Sequence, residues 1–465
     1  MLEFFSFIEN LIEKTGGILW SPVMLIILMG SGIILTIRFK FFQITQIKKI
    51  YRETVFSLFS KKSKKTQNQK KSEKEITPFE AVSAALAGTM GVGNIAGVAT
   101  AITAGGPGAI FWMWISAFFC MIIKYIEVIL SQLYKQKKNG RFKGGPMLYI
   151  SEGLKSRRLA LIFSFFCVIS SFGIGNMSQV NTISHAFKNT FNIPGIITGI
   201  FVAVITAAII IGGIKRIFSF TSKFIPLMSV IYILAAITVI IFNAENLPES
   251  FKIIFSDAFK IQQAGAGFLG FITSRALRYG ISRGAFTNEA GLGSAPIAHA
   301  AASPDSPVQQ GMWGIFEVFF DTIVVCTLTA LCILTSNAYK ISGLDGINLT
   351  NEAFSSVFGD ISGVFLSFSI VFFAVATLVS WSFYGECCIE HLFGNSRENI
   401  KNLSKNIYKL IFVALIIAGS SVNTEIVWNL SDIFNALMAL PNMAAVIILS
   451  PQVYRETKKY IYQGI

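Results

Sequence analysis

Apolar runs of roughly 20 residues recur along the whole chain and are separated by polar stretches. A run of about this length spans the hydrocarbon core of a bilayer as an α-helix, so the pattern predicts an all-α polytopic membrane protein. The predicted membrane segments, about eleven in number, lie at residues 19–37, 81–102, 109–133, 160–184, 195–213, 222–242, 274–302, 311–336, 361–384, 408–421 and 428–450. The seventh and tenth fit the pattern least closely, and the short tenth is expected to begin earlier in the sequence.

Glycine and polar residues interrupt the second and seventh segments. The first of these two reads ALAGTMGVGNIAGVATAITAGGPG (85–108), and the second reads RGAFTNEAGLGSAPIAHAAA (283–302). Each begins a group of five segments, and five is odd, so the second group enters the membrane from the opposite side, as in an inverted repeat. The predicted units are an N-terminal helix with a basic cytoplasmic loop (1–80), two five-helix repeats (81–242 and 243–450) and a cytoplasmic tail (451–465).

The glycine-rich stretches predict open backbone within the membrane. Glycine destabilises a helix interior by about 1 kcal/mol relative to alanine, and freed backbone groups survive at membrane depth only inside protein or beside a water-filled cavity. We expect residues 88–94 and 286–293 to unwind and to meet a ligand. Half-helix N-termini suit a carboxylate, and freed carbonyls with side-chain hydroxyls suit a small cation such as Na⁺. The alternative is close helix packing, which the spacing of Gly93 and Gly97 also fits.

Charge predicts the orientation. Only 14% of the residues are charged, and the formal net charge is +14, which in a membrane protein indicates basic cytoplasmic loops rather than nucleic-acid binding. Lysine and arginine concentrate in alternate loops, so the C-terminus is predicted in the cytoplasm and the N-terminus outside. The polar stretch 60–75 is expected to be a solvated linker near anionic membrane lipid. A multi-pass protein of a plasma (inner) membrane is predicted.

Enzyme signatures are missing from the sequence. The six cysteines form no CxxC pair, the three histidines are scattered, and neither HExxH nor GxSxG occurs. Disulfides, metal centres and catalytic residues are therefore not expected, and neither is a cofactor. This pattern weighs against a membrane enzyme.

Several ionisable residues fall within predicted segments, where such groups suggest function. Lys124 and Glu127, three residues apart, are predicted to form a structural ion pair. Asp321 or Glu289 could carry a proton or could stabilise the loosened backbone, and the sequence leaves both roles open.

Long strings in the sequence resemble a known family. They are GTMGVGNIAGVATAITAGGPGAIFWMW, GGPMLYI (144–150), SRGAFTNEAGLGSAPIAHAAA (282–302), DTIVVCTLTAL (321–331) and TLVSWSFYGE (377–386). They are similar to signatures of the alanine/glycine:cation symporter family, also called sodium:alanine symporters. The resemblance implies a leucine-transporter-type fold, a 5+5 inverted repeat with one additional N-terminal helix. It also implies import of alanine or glycine with Na⁺ or sometimes H⁺.

The resemblance further implies a site. Substrate-binding residues would be Thr89, Gly91, Asn94, Phe286, Thr287, Thr377 and Trp381. The cation, Na⁺, would meet Gly88, Gly91, Thr377 and Ser380. Trp381 would cap a small pocket, while Asn94 would orient the carboxylate or line the cation path. The alternatives are that the tryptophan only packs and that a threonine bonds back to its own helix.

The predicted function is secondary-active symport of a small neutral amino acid with Na⁺ by alternating access. An H⁺-coupled transporter, a transporter of the same fold for another solute, and a channel are the alternatives. The choice between alanine and glycine and the oligomeric state stay open.

Overall fold

The computed structural model describes residues 22–59, 75–138, 141–260, 274–422 and 424–463. Within this part of the chain the structure is helical, apart from one short antiparallel hairpin. Most of the predicted linker at 60–75 and the first residues of the first predicted segment lie outside the described residues.

Residues 22–59 form one apolar helix and three short ones. They are α1 (Pro22–Arg38), α2 (Phe42–Thr45), α3 (Ile47–Glu53) and α4 (Val55–Phe59).

The first predicted repeat contains eight described helices. They are α5 (Pro78–Thr89), α6 (Ala96–Gly105), α7 (Ala109–Leu133), α8 (Pro146–Leu148), α9 (Arg157–Phe172), α10 (Ser178–Phe191), α11 (Gly195–Ile211) and α12 (Gly213–Phe242). A π-helical turn, Gly173–Met177, joins α9 to α10, and a second one, Tyr149–Gly153, follows α8. The strands β1 (Gln136–Lys138) and β2 (Arg141–Lys143) pair after α7.

The second predicted repeat and the tail contain the remaining described helices. They are α13 (Leu247–Ala258), α14 (Arg275–Asn288), α15 (Ala295–Ala300), α16 (Pro307–Val318), α17 (Thr327–Thr335), α18 (Gly346–Phe358), α19 (Ile361–Leu392), α20 (Glu398–Gly419) and α21 (Thr424–Gln463). A π-helical stretch, Phe319–Cys326, makes α16 and α17 one continuous span. The 3₁₀ turns are Val92–Asn94, Ala244–Asn246 and Ala338–Lys340.

Seven helical spans in the described residues are long and apolar enough to cross a membrane. They are Ala109–Leu133, Arg157–Phe191, Gly213–Phe242, Pro307–Thr335, Ile361–Leu392, Glu398–Gly419 and Leu430–Tyr462. The other four predicted segments correspond to the shorter helices α1 and α11 and to the interrupted pairs α5/α6 and α14/α15, so the total of eleven remains a prediction. The tenth span does begin earlier than residue 408, at Glu398.

Helix α7 is central and α20 is peripheral. In the most apolar part of each, 78% of the α7 residues are buried inside the protein, against 22% in α20. Helix α14 packs against α6 and α7, while α5 packs against α12, α15 and α19. Both interrupted spans therefore lie inside the helix bundle rather than at a lipid-facing surface.

Both predicted interruptions are present. The first runs from the end of α5 at Thr89 to the start of α6 at Ala96. The second begins later than predicted, because residues 286–288 still belong to α14. It starts where the backbone turns left-handed, at Glu289 (φ 53°), and continues through Gly291 (φ 87°) and Gly293 (φ 85°), conformations that glycine adopts without steric penalty.

The two interrupted spans contact each other. A Cβ atom on Gly93 would lie 2.9 Å from the Thr287 side-chain methyl carbon, closer than real carbon contacts allow. Glycine at position 93 therefore lets the first interruption approach the last turn of α14.

Candidate functional site

The first interruption releases backbone groups at the end of α5. Met90 N–H donates to Leu86 O (2.7 Å), but Gly91 N–H donates to Thr89 O (2.9 Å) and Val92 N–H donates to the Gln179 side-chain oxygen (3.2 Å). In a continuous helix the last two N–H groups would bond the carbonyls of residues 87 and 88. Those two carbonyls are thus released from the helical hydrogen-bond pattern, as predicted for this region.

Two hydroxyl groups of α19 contact carbonyls of α5, namely the released Ala87 carbonyl and the Ala84 carbonyl one turn earlier. Thr377 Oγ1 donates to Ala87 O (2.8 Å), and Ser380 Oγ donates to Ala84 O (2.9 Å). Both side chains are buried. The sequence had predicted both hydroxyls, but it had not identified the alanine carbonyls that they contact.

The absence of side chains at Gly88 and Gly91 lets the α5 backbone pack closely against Thr377, Gln179 and Tyr384. A Cβ atom on Gly91 would lie 2.7 Å from Thr377 Oγ1 and 2.8 Å from Gln179 Oε1, and one on Gly88 would lie 2.8 Å from the Tyr384 hydroxyl. All four predicted cation-site residues therefore come together, in a setting of neutral oxygen atoms from carbonyls, hydroxyls and one amide.

Asn94 and Asp321 form a buried pair beside the first interruption. The Asn94 amide donates to Asp321 Oδ1 (2.8 Å) and to the Asp321 backbone carbonyl (3.2 Å). The second carboxylate oxygen accepts from Thr322 Oγ1 (2.9 Å). Asp321 thus holds the 3₁₀ turn of the first interruption against the π-helical stretch after α16, which fits the stabilising alternative and does not test the proton alternative.

Glu289 bridges the second interruption to α19. One carboxylate oxygen accepts from Trp381 Nε1 (2.9 Å), and the other accepts from the Ser294 hydroxyl at the far end of the same interruption. The carboxylate thus joins the two ends of the second interruption, and it connects this interruption to Trp381, the tryptophan predicted to cap the pocket.

The released backbone at Gly291 is bonded by side chains from other helices. Its N–H donates to Glu127 Oε1 (3.1 Å), and its carbonyl accepts from the Asn442 amide (2.8 Å). The second interruption is therefore stabilised by a carboxylate of α7 and an amide of α21, neither of which was predicted from the sequence.

The predicted ion pair between Lys124 and Glu127 is wrong. Lys124 Nζ lies 3.3 Å from Glu317 Oε1, and both side chains are fully buried. Glu127 instead meets the second interruption and α21. Residues three apart share a helix face, but packing places Glu317 of α16 beside Lys124 and places Gly291 and Asn442 beside Glu127.

Trp381 is buried, and a glycine makes room for it. A Cβ atom on Gly175 would lie 2.3 Å from Trp381 Cβ. The indole also meets the Tyr384 ring edge-on, with centroids 5.6 Å apart. The π-helical turn after α9 therefore forms one wall around the tryptophan.

The hydroxyls of Thr89 and Thr287 bond to their own helices. Thr89 Oγ1 donates to Leu86 O (3.3 Å), and Thr287 Oγ1 donates to Gly284 O (3.2 Å). Phe286 is buried in the same last turn of α14, with the Arg283 guanidinium 5.6 Å from its ring centroid. The structure thus places these predicted substrate residues at the contact between the interrupted spans, with both hydroxyls in the back-bonded arrangement.

Sequence reasoning did not identify Gln179 and Asn442, and it gave Glu127 a different partner. Each is a polar residue within a predicted membrane segment, which is a signal the sequence does contain. Gln179 Nε2 donates to Ile174 O (2.9 Å) within its own span, which leaves its oxygen for Val92.

The chain is similar in sequence to known transporters. The sequence model of the sodium:alanine symporter family matches residues 5–464. The chain is 40% identical over 459 residues to the sodium/alanine symporter AgcS of Methanococcus maripaludis, with 97% of each chain covered. It is 36% identical to the probable sodium/glutamine symporter GlnT of Bacillus subtilis, covering 98% of this chain and 91% of that one.

A solved structure shows the fold. The crystal structure of MhsT in complex with L-phenylalanine superposes with a TM-score of 0.57, covering 82% of this chain and 98% of that one at 14% identity. The fold is accordingly of the leucine-transporter type predicted. The chain is a multi-pass membrane transporter and not an enzyme, and it belongs to the sodium:alanine symporter family.

Proposed function

We propose that the chain imports a small neutral amino acid, alanine or glycine, with Na⁺ by alternating access. The observation that carries this proposal is the contact of two α5 carbonyls, one of them released by the first interruption, with the α19 hydroxyls. Names of relatives support a Na⁺-coupled amino-acid transporter but differ in substrate, alanine for AgcS and glutamine for GlnT.

The cation would bind between α5 and α19. The hydroxyls of Thr377 and Ser380 now donate to the carbonyls of Ala87 and Ala84. Na⁺ would replace these hydrogen bonds, with the same four oxygens turning towards the ion and the backbone at Gly88 and Gly91 completing the site. Neutral oxygens suit a monovalent ion, because sites for divalent ions usually include carboxylates.

The amino acid would bind at the neighbouring interruptions. Its carboxylate would meet the open backbone at Thr89 and Gly91, with Asn94 oriented by Asp321 beside it. Phe286, Thr287 and Trp381 would limit the side-chain space, and the buried, Glu289-bonded indole favours a small substrate. Because Na⁺ would order the same residues that the carboxylate needs, the two ligands would bind cooperatively.

Transport in proteoliposomes tests the coupling. Uptake of labelled alanine is measured with a Na⁺ gradient or a pH gradient imposed separately, with protein-free vesicles as the control. We expect accumulation with the Na⁺ gradient alone and inhibition by glycine but not by glutamine. Accumulation driven by the pH gradient without Na⁺ contradicts the proposed cation. Currents with no fixed ratio of solute to ion indicate a channel, and preferred glutamine contradicts the proposed substrate.

An inward Na⁺ gradient across a plasma (inner) membrane would drive import. The basic loops favour a C-terminus in the cytoplasm. Labelling of a single cysteine introduced at Lys458, near the end of α21, by an impermeant reagent in intact cells tests this orientation: the residue should be protected until the membrane is opened.

A further inference from the structure

A buried histidine lies between two side chains of α16. His299, on α15, has no solvent exposure. Its Nε2 lies 2.8 Å from Glu317 Oε2, and its Nδ1 lies 2.8 Å from Gln310 Nε2. The other oxygen of Glu317 pairs with Lys124 of α7. Glu317 thus links the imidazole of α15 to the ammonium group of α7.

The partners fix which ring nitrogen can change its protonation. A carboxylate that is paired with an ammonium group is ionised and only accepts hydrogen bonds, so Nε2 carries a hydrogen whether the ring is neutral or charged. Nδ1 is then the variable atom. In the neutral ring it accepts a hydrogen bond from the Gln310 amide nitrogen, as the structure has it.

Gln310 can also serve the charged ring. An amide presents a donor on one side and an acceptor on the other, so rotation of the Gln310 amide would place Oε1 against an Nδ1–H. That oxygen is buried and makes no hydrogen bond in the described part of the chain, so the rotation breaks no bond to it. The ring therefore has a hydrogen-bond partner for Nδ1 in either charge state.

The Glu317 carboxylate favours a positive charge on the ring. Its Oε2 lies 2.8 Å from His299 Nε2, and its Oε1 lies 3.3 Å from Lys124 Nζ. An opposite charge at this distance stabilises the charged form of a titratable group, so the carboxylate stabilises a protonated imidazole.

Other titratable groups lie on the elements packed against α15. They are Glu80 on α5, Lys124 and Glu127 on α7, Lys135 just after α7, Glu317 on α16, Glu386, Glu390 and His391 on α19, and Arg141 and Lys143 on β2. Several have partners of their own: Glu80 caps α5 with Thr77, Lys143 pairs with Glu390, and Glu386 pairs with Lys409.

We propose that His299 is a proton-binding site of this transporter, with Nδ1 as the atom that takes up the proton and Gln310 as its switchable partner. The site is separate from the proposed Na⁺ site. His299 lies on the half-helix that follows the second interruption, and its backbone carbonyl accepts from Gln132 of α7 (2.5 Å). A change of charge on the ring therefore acts directly on the contacts of α15 with α7 and α16, and transport depends on pH.

The direct test reads the imidazole itself. The chain has three histidines, so a His185→Gln/His391→Gln variant labelled with ¹⁵N-histidine leaves one ring to observe by solid-state NMR in proteoliposomes. We expect a neutral ring with a bare Nδ1 at the high end of a series from pH 5 to 9 and a doubly protonated ring at the low end. A single charge state from pH 5 to 9, or a neutral ring with a bare Nε2, overturns the proposal.

Two substitutions of Gln310 should move the midpoint in opposite directions. Gln310→Glu places a carboxylate beside Nδ1. This should raise the midpoint of the ring's NMR titration by about one pH unit or more, which corresponds to a roughly tenfold higher proton affinity. Gln310→Met cannot accept from Nδ1–H and should lower it. Gln309→Glu adds the same charge at the neighbouring position and is the matched control. Equal midpoints in the two Gln310 variants contradict the role of the amide.

The transport readout separates this site from a rival group. Burial lowers the pKa of Lys135 to about 8. A change of the uptake rate with pH, called the step below, is therefore also expected if Lys135 and not His299 controls transport. Uptake is measured at saturating Na⁺ without a pH gradient. We expect His299→Gln to remove the step and Lys135→Gln to leave it, and the reverse overturns the coupling of His299 to transport. Titration of the ring in a protein that fails to carry alanine contradicts the proposed function and leaves the proton site standing.

Discussion

Removing the Thr377 hydroxyl should lower the affinity of the transporter for Na⁺ by an amount that the structure allows us to estimate. Thr377→Val keeps the shape of the side chain but loses the oxygen that lies 2.8 Å from Ala87 O. One such neutral contact contributes about 1 to 1.5 kcal/mol, which corresponds to about a five- to thirteenfold rise in the Na⁺ concentration for half-maximal uptake. Thr377→Ser keeps the hydroxyl and should remain close to the parent protein.

The assay is alanine uptake in proteoliposomes over a series of Na⁺ concentrations at fixed alanine. Ser382→Ala is the matched control, because the Ser382 hydroxyl is buried on the same helix but donates to Val379 O of its own backbone (2.8 Å). If Thr377→Val has the Na⁺ dependence of the Ser382→Ala control, the cation does not bind between α5 and α19. A shift in thermal stability without a shift in Na⁺ dependence leads to the same conclusion.

Two further predictions concern the buried contacts around the site. Lys124→Met should lower the free energy of unfolding by about 3 to 5 kcal/mol, because it leaves the Glu317 carboxylate buried without its cation. Thermal unfolding in detergent measures this loss, and the double variant Lys124→Met/Glu317→Gln should recover part of it. An unchanged melting temperature in the single variant refutes the pairing. Trp381→Phe cannot donate to Glu289, so the ring predicted to cap the pocket loses its hydrogen bond, and alanine binding should weaken by about fivefold. Competition by a series of larger amino acids measures the pocket, and an unaltered inhibition profile contradicts the capping role.

The interruptions of the helices were predictable because their cause is local. Clustered glycines weaken a helix wherever it packs, so both open stretches could be located from the sequence. The second was placed too early, at residue 286 rather than 289, because the sequence does not show where the backbone turns left-handed. The positive φ angles at Glu289, Gly291 and Gly293 decide this boundary.

The partners of the opened backbone were not predictable in the same way. Glu127, Asn442 and Gln179 lie on other helices, and their contacts with the interruptions depend on how those helices pack. Helical spacing suggested that Lys124 and Glu127 would pair, but in the packed structure Lys124 forms its ion pair with Glu317. Local spacing shows which residues can share a helix face, whereas it does not show which neighbouring helix that face meets.

The family resemblance allowed residues that are distant in sequence to be assigned to one site, which helical spacing alone does not allow. Gly88 and Gly91 lie almost three hundred residues before Thr377 and Ser380 in sequence, yet the two pairs meet between α5 and α19, as the contacts of Ala84 and Ala87 show. The number of membrane segments, the boundaries of the two repeats and the orientation of the termini stay predictions.

The most direct test is a structure determined by electron cryomicroscopy in the presence of alanine and Na⁺. We expect density for the amino acid between the interruptions at Thr89–Ala96 and Asn288–Ala295, in contact with Gly91 and close to Trp381, with the ion between α5 and α19. Amino-acid density elsewhere in the bundle, or interruptions that face lipid and leave no ligand between them, contradicts the proposed site.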